Sequence, residues 1–374
     1  MVYLTRLPEK IRRTLEKIVT DMRVTENVYG IGLFGSWSRG DATTSSDVDL
    51  VILDKGNFDY EYVERIETNG LLIDLDHIPK RWLHGPIPPE IDQKLYEMQI
   101  LYDRDWSLNN MKLVIAKSYD SPERVDIRTE THIVESDIYL SRATSAFSRE
   151  DFRSAYLFAT VALENILKVL VEIALEPFSN SRFLEKLEDS TAKLGMQDLF
   201  NKYLEIARLN KADNTSAEDK LRLFKTIWDE MKTTTNQNLQ ALEFSHFKVK
   251  TKLNYYLNPA FLQGVVMRSN SLVESGKVVE ASHYLNGIFL DIVENYAWLK
   301  SSIDKVKADY TTLMRCLESL EGKNPKNYNH MIDFLNLSDV AKLDAASAVE
   351  KVREIMLKIR RERKVLIKNH IARS

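Results

Sequence analysis

At 374 residues the chain is longer than one hydrophobic core usually serves, so two or three domains are expected. Its 44% hydrophobic and 29% charged residues are the proportions of a folded globular protein and exclude a disordered or low-complexity chain. A formal net charge of −3 excludes a surface basic enough to be coated by nucleic acid, and the single cysteine, Cys316, excludes an internal disulfide framework. Cys316 lies in a helical pattern and is expected in a core. No signal peptide opens the chain and no apolar run reaches the roughly 18 residues that span a bilayer, so a cytoplasmic protein without membrane contact is expected.

From the N-terminus, Ile11, Leu15, Ile18, Val19 and Met22 fall on one face of a helix that Pro8 can open. Val28 to Phe34 is apolar and β-prone, and so is Val48 to Leu53; each reads as a buried strand. Between them runs the polar loop GSWSRGDATTSS, made of turn formers. Side chains two apart share a strand face, so Asp47 and Asp49 project together while Val48 and Leu50 face the core. Paired carboxylates of this kind suit Mg²⁺, which is usually held by one or two carboxylates and the phosphates of a substrate. Gly35 lets the backbone approach such phosphates closely, and the Ser36 hydroxyl stands beside it. Leu71 to Ile78 is a further strand, interrupted by Asp74 and Asp76. An acid inside a strand is costly to bury without a partner, so one of the two is expected to face the metals. Pro88 to Tyr96 reads as a helix and Gln99 to Tyr102 as a last strand.

An apolar strand, Gly35-Ser36, a spacer, Asp47-Val48-Asp49 and a later strand acid together resemble the polymerase-β-like nucleotidyltransferase superfamily. Arg39 and Gly40 in Ser36-Trp37-Ser38-Arg39-Gly40-Asp41 make the likeness nearest to the minimal and antibiotic-type members. There the third acid matches Asp74, by its distance from Pro79-Lys80-Arg81-Trp82-Leu83, with Asp76 as alternate. The resemblance implies an α+β fold, with a mixed sheet and helices in the N-terminal domain. It implies transfer of a nucleoside monophosphate, AMP from ATP by default, to a hydroxyl acceptor with release of pyrophosphate. Asp47, Asp49 and Asp74 would hold one or two Mg²⁺, and Asp74 would take the acceptor's proton. Gly35, Ser36, Arg39 and Ser46 would bind the nucleotide. The acceptor, whether a small molecule, a protein or an RNA end, is not legible.

After residue 118 strand signals vanish and helical periodicity takes over, for example at Tyr156, Ala159, Leu163, Leu167 and Leu170. We divide the chain into a catalytic domain at 1–118, a helical bundle at 119–250 and a second bundle at 251–374 with a basic end. Arg142-Ala143-Thr144-Ser145 and Arg268-Ser269-Asn270-Ser271 hint at an internal repeat. In enzymes of the resembling architecture the first bundle helps to bind the acceptor, which makes Tyr156 and Glu164 candidate contacts. The basic end, with Lys351, Arg353, Lys358, Arg360, Arg361, Arg363, Lys364, Lys368 and Arg373, is a candidate RNA contact, although its interspersed apolar residues favour a solvated helix face. Two rival readings remain: a nucleotide-binding regulatory or antitoxin-like protein, and a HEPN-type ribonuclease using Arg363 and His370. His77 is a candidate neighbour of the metal shell.

Overall fold

The stripe Ile11, Leu15 and Ile18 is buried along helix α1 (Glu9–Met22), with Pro8 at its N-cap, where the sequence spacing places it. Five strands follow: β1 (Val28–Phe34), β2 (Val48–Asp54), β3 (Tyr62–Thr68), β4 (Leu71–Pro79) and β5 (Gln99–Asp103). Helix α2 (Gly35–Arg39) is a single turn after β1, α3 (Asp92–Glu97) precedes β5, and α4 (Ser107–Ser118) follows it. The strands form one sheet in the order β3-β4-β2-β1-β5, in which β2 and β4 are parallel and all other neighbours antiparallel. Strand β3 is absent from the sequence reading. It lies at the sheet edge and places Glu64, Arg65 and Glu67 among its apolar residues, so it lacks the apolar run by which the other strands are recognised.

The computed structural model describes residues 7–210, 212–322 and 325–371. Arg373 of the basic end and the turn residues Lys211, Lys323 and Asn324 lie outside them. Helices continue with α5 (Pro122–Ser148), α6 (Phe152–Ile173), α7 (Phe183–Lys193), α8 (Gln197–Ile206), α9 (Asn214–Gln237) and α10 (Leu239–Glu243). Then come α11 (Phe247–Tyr256), α12 (Pro259–Glu274), α13 (Val278–Asp304), α14 (Leu313–Leu320), α15 (Pro325–Phe334) and α16 (Lys342–Ile371). The chain divides into two units, residues up to Tyr119 together with His246–Arg268, and the remaining helices. The sequence reading splits 246–268 between two bundles. In the structure α11 packs on β3, where Phe247 meets Tyr62 edge-on at 5.6 Å, and Asn258 donates to the Arg65 carbonyl at 3.0 Å.

Strand alternation gives the sheet two apolar faces. Ile31, Leu33, Val48, Leu50, Ile52, Ile73 and Leu75 pack with α1, whereas Val51, Leu53 and Ile78 pack with Leu95 of α3 and Leu108, Met111 and Ile115 of α4. Asp49 has the parity of Val51, and Asp74 and Asp76 have that of Ile78. All three acids therefore point to the α3 side.

In the helical unit α6 buries Ala155, Phe158, Ala162, Leu163, Ile166, Leu167 and Leu170, and packs against α5 and α16. Contrary to the expectation from sequence, α6 is long and apolar enough by length and composition to cross a membrane, and 72% of its apolar window is buried within the protein. The charged residues Glu164 and Lys168 interrupt the run without lowering its average below that of a span. Asp151 caps this helix through the Ser154 amide at 3.1 Å and also accepts from the Arg315 amide at 3.2 Å, fastening the start of α14.

The repeat offset has a counterpart in the helix ends. Helix α5 ends at Ser148 and α6 begins at Phe152, and α12 ends at Glu274 and α13 begins at Val278; 274 − 148 and 278 − 152 both equal 126. The closing helices of the two sets are exchanged, since α9 packs on α13 and α16 packs on α5 and α6. Arg142, however, pairs with Glu294 while Arg268 pairs with Asp47, so the shared arginine serves different ends.

Basic helix α16 turns Val352, Ile355, Met356, Ile359, Ile367 and Ile371 inward. Arg360 pairs with Asp137, and Arg363, the arginine of the ribonuclease alternative, is buried against Asp126 at 3.0 Å and against Glu130. Acids of α5 thus neutralise part of the basic face. Cys316 is half-buried, and burial pushes its thiol up.

Lys220 of α9 is buried with its ammonium 4.7 Å from the Phe334 ring centre, and burial pushes its pKa down to about 7. In the unfolded chain it titrates near about 10.4, so between these values the unfolded state binds more protons and stability rises with pH. Below pH 7 the full cost of charging a buried amine is present. Lys220→Met is expected to raise the urea midpoint at pH 7 and to flatten its rise toward pH 10; a midpoint and pH slope equal to wild type would contradict this assignment.

Candidate active site

Sheet register builds the site. Asp49 of β2 is paired with Asp74 of β4, and Asp74 with Arg65 of β3, so the three side chains stand in a row across adjacent strands. Asp47, just ahead of β2, projects to the same side. Oxygens of Asp47, Asp49 and Asp74 all lie within 4.8 Å of one another. The alternate third acid, Asp76, lies two residues further along β4 and is paired with Lys94 of α3, which also reaches Glu61 at 3.2 Å. Burial pushes the Asp76 carboxyl up to about 6 against the pull of Lys94.

Three like charges this close require cations. Arg65 presents its guanidinium fork to Asp74, with Nε on Oδ1 and Nη2 on Oδ2 at 2.6 Å each, and the same Nη2 donates to Asp47 Oδ2 at 2.6 Å. Arg268 of α12 donates to Asp47 Oδ1 at 2.5 Å, and the Tyr255 hydroxyl of α11 donates to Asp74 Oδ2 at 2.9 Å. The rings of Tyr255 and Phe261 flank the Arg65 guanidinium at 5.4 and 5.3 Å. Burial raises the Asp47 carboxyl, but Arg268 and Arg65 outweigh it and hold the group below the ordinary carboxylate range. At Asp74 burial prevails over Arg65, and the pKa is raised. Asp49 has no ion-pair partner among the described residues; burial and the charges of Asp47 and Asp74 push its carboxyl well up.

The turn after β1 is shaped around Asp49. Gly35 has φ +73°, and a Cβ there would stand 2.3 Å from Asp49 Oδ2, so no other residue fits without displacing the carboxylate. Gly40, at φ 85°, ends α2 with its amide on the Ser36 carbonyl at 2.9 Å. The Ser36 hydroxyl makes no hydrogen bond to another described residue. Arg39, expected at the phosphates, instead donates to Glu97 Oε2 at 2.7 Å and lies 3.3 Å from Asp41. Ser46 Oγ accepts from the Thr43 amide at 2.9 Å and closes the loop ahead of Asp47.

The other candidates lie apart from the carboxylates. His77 is an odd number of residues from Asp74 and so faces the other side of the sheet, stacked on Tyr62 at 4.6 Å and bonded to Asp54 at 3.2 Å. In the helical unit, Tyr156 donates to the Ile206 carbonyl at 2.6 Å, and Glu164 is engaged by Lys168 at 2.9 Å, Tyr203 at 3.2 Å and His283 at 3.3 Å. Sequence reasoning missed Arg65, Tyr255, Arg268 and Glu97. For Arg65 the available signal was a lone arginine opposite Asp74 on an edge strand; the rest are brought in only by the tertiary fold.

The donor set fits a hard divalent cation: three converging carboxylates with no nitrogen or sulfur donor among them. Asp49, with no ion pair among the described residues, is the member with most to gain from a cation. Residues 12–176 match the family model described as nucleotidyltransferase domain. A Methanocaldococcus jannaschii protein named, provisionally, as a protein adenylyltransferase is 38% identical over 85 residues, which are 80% of its length and 21% of this chain. A nucleotidyltransferase-like protein from Exiguobacterium sibiricum, known from its crystal structure, aligns over 87% of this chain and 90% of its own, at 13% identity and a TM-score of 0.31. The chain belongs to the nucleotidyltransferase domain family and is a nucleotidyltransferase enzyme.

Removing Arg65 leaves buried carboxylates uncompensated, a loss of about 3 kcal/mol or more. Arg65→Met is expected to lower the urea midpoint accordingly, and adding Asp74→Asn to restore part of it. A single variant as stable as wild type would show that the fork does not hold the cluster together.

Proposed function

We propose that the enzyme transfers AMP from ATP to a hydroxyl group, with Asp47, Asp49 and Asp74 as the metal-binding and catalytic carboxylates. The convergence of these three acids within 4.8 Å is the observation that carries this reading. Bound at them, one or two Mg²⁺ ions would neutralise the triphosphate and make the acceptor hydroxyl more acidic. The acceptor oxygen attacks the α-phosphorus, the bond from that phosphorus to the oxygen bridging to the β-phosphate breaks, and pyrophosphate leaves. Asp74 accepts the hydroxyl proton. Its two oxygens take three hydrogen bonds, from Arg65 twice and from Tyr255, which leaves about one of roughly four lone-pair directions open, so one of these bonds must yield for Asp74 to ligate an ion as well.

The Ser36 hydroxyl, next to the Gly35 turn, is placed by this reading at the phosphates, with Ser46 shaping the loop between them and Asp47. We assign Arg39 to holding that turn and not to the nucleotide. The name of the M. jannaschii relative makes a protein side-chain hydroxyl the first acceptor class to test.

The decisive assay is pyrophosphate release from each nucleoside triphosphate, with and without Mg²⁺, in the presence of protein and small-molecule acceptors. Asp47→Asn and Asp49→Asn are each expected to abolish release; the unfolding midpoint should stay at or above wild type in Asp49→Asn, which relieves repulsion, and fall in Asp47→Asn, which takes the carboxylate from Arg65 and Arg268. Activity within a few-fold of wild type in both would contradict the assignment. Asp74→Asn should slow single-turnover transfer far more than it weakens ATP binding, and Asp76→Asn should be milder; the reverse order would move the proton-accepting role to Asp76.

A further inference from the structure

We propose that Glu97 is a positioning residue for the phosphate-binding turn, and that Arg39 is its counter-ion; this rests on the reading of Ser36 and the three aspartates above. Glu97 ends the short helix α3, and its side chain is 8% exposed. One carboxylate oxygen accepts the Gly35 amide at 2.8 Å and the other accepts Arg39 Nη1 at 2.7 Å. Its main-chain carbonyl accepts the Ser38 hydroxyl at 2.5 Å, and two residues on, the Gln99 side chain donates to the Ser38 carbonyl at 2.9 Å. One residue thus grips α2 at Gly35, Ser38 and Arg39.

The geometry explains why this grip matters. Gly35 has no Cβ clearance from Asp49, so a small drift of the turn would either press on that carboxylate or carry Ser36 away with the turn. The Gly35 amide is one of the donors that the first turn of a helix leaves without an internal partner. Glu97 satisfies it with a charged acceptor, a bond stronger than a neutral one. Arg39 in turn neutralises Glu97, which would otherwise be a buried carboxylate without a cation. The chain therefore spends a loop cation and a backbone amide, both suited to phosphate, on fixing the turn, and leaves the Ser36 hydroxyl to the substrate.

Three variants test this. Glu97→Ala removes both bonds, Glu97→Gln keeps an oxygen for the Gly35 amide but loses the charge pair, and Arg39→Ala removes only the counter-ion. The expected order for KM of the triphosphate is Glu97→Ala raised roughly tenfold or more, with Glu97→Gln and Arg39→Ala within a few-fold of wild type. The Glu97→Ala/Arg39→Ala double variant should be no worse than Glu97→Ala. Hydrogen exchange of the segment Phe34 to Gly40, measured without nucleotide, should accelerate in Glu97→Ala and stay protected in Glu97→Gln. Arg39→Ala as damaging to KM as Glu97→Ala, with exchange unchanged in both, would overturn the proposal and return Arg39 to the phosphates. Wild-type enzyme inert toward every triphosphate would instead sink the nucleotidyl-transfer reading, and exchange alone would then decide the role of Glu97. If Glu97→Ala does not fold, Glu97→Gln and Arg39→Ala still decide it: a tenfold KM loss in either contradicts the proposal.

Discussion

Three carboxylates drawn within 4.8 Å of one another repel strongly wherever water is scarce, and the first unit of this protein is organised around offsetting that repulsion. The parallel pairing of β2 and β4 puts Asp49 and Asp74 side by side, and alternation brings Asp47 to the same face. Arg65 then has a structural duty that a solvated arginine would not: its fork spans Asp74 and Asp47 at 2.6 Å. Arg268 completes Asp47 and Tyr255 completes Asp74, so the segment His246–Arg268 is tied to the sheet through the site itself. Among the described residues Asp49 alone of the three has no ion-pair partner, which is where an ion carried by a triphosphate has the most to add.

How much of this could be read from the chain depended on how local each constraint is. Asp47 and Asp49 were legible because a strand period of two and the preceding Gly35-Ser36 are contained in one short stretch. Asp74 and Asp76 were equally plausible on their own, and only the family resemblance preferred Asp74; the sheet register pairs Asp74 with Asp49, and Asp76 with Val51. Arg65 was hidden because β3 is an edge strand whose charged positions mask its period. Tyr255 and Arg268 reach acids 181 and 221 residues away in sequence, and nothing in their neighbourhoods marks them. Arg39 was hard to place for the same reason in reverse. A cation on a polar loop beside a glycine suits phosphate, until Glu97, 58 residues on, is found to hold it.

The helical half was legible in kind but not in connectivity. Periodicity marked α6 and its neighbours, and the faint Arg-x-x-Ser offset agrees with helix boundaries displaced by the same interval. Which helix packs on which was not available from periodicity, since an amphipathic face specifies burial and not a partner. The exchange of α9 and α16 between the two sets is a property of the tertiary fold. Of the buried charges of this half, sequence reasoning offered Glu164 as a candidate substrate contact and Arg363 as the arginine of a rival ribonuclease reading; in the structure Glu164 is engaged by Lys168 and His283, and Arg363 by Asp126 and Glu130.

The central claim is that the three aspartates and a divalent ion form one electrostatic unit with the triphosphate. Calorimetric titration of the wild-type protein with ATP, in the presence and absence of Mg²⁺, tests it most directly, because each partner supplies charge that the other lacks. The account expects tight binding only when both are present, and a matching loss in metal affinity when the nucleotide is withheld. Equal ATP affinity with and without Mg²⁺ would contradict it.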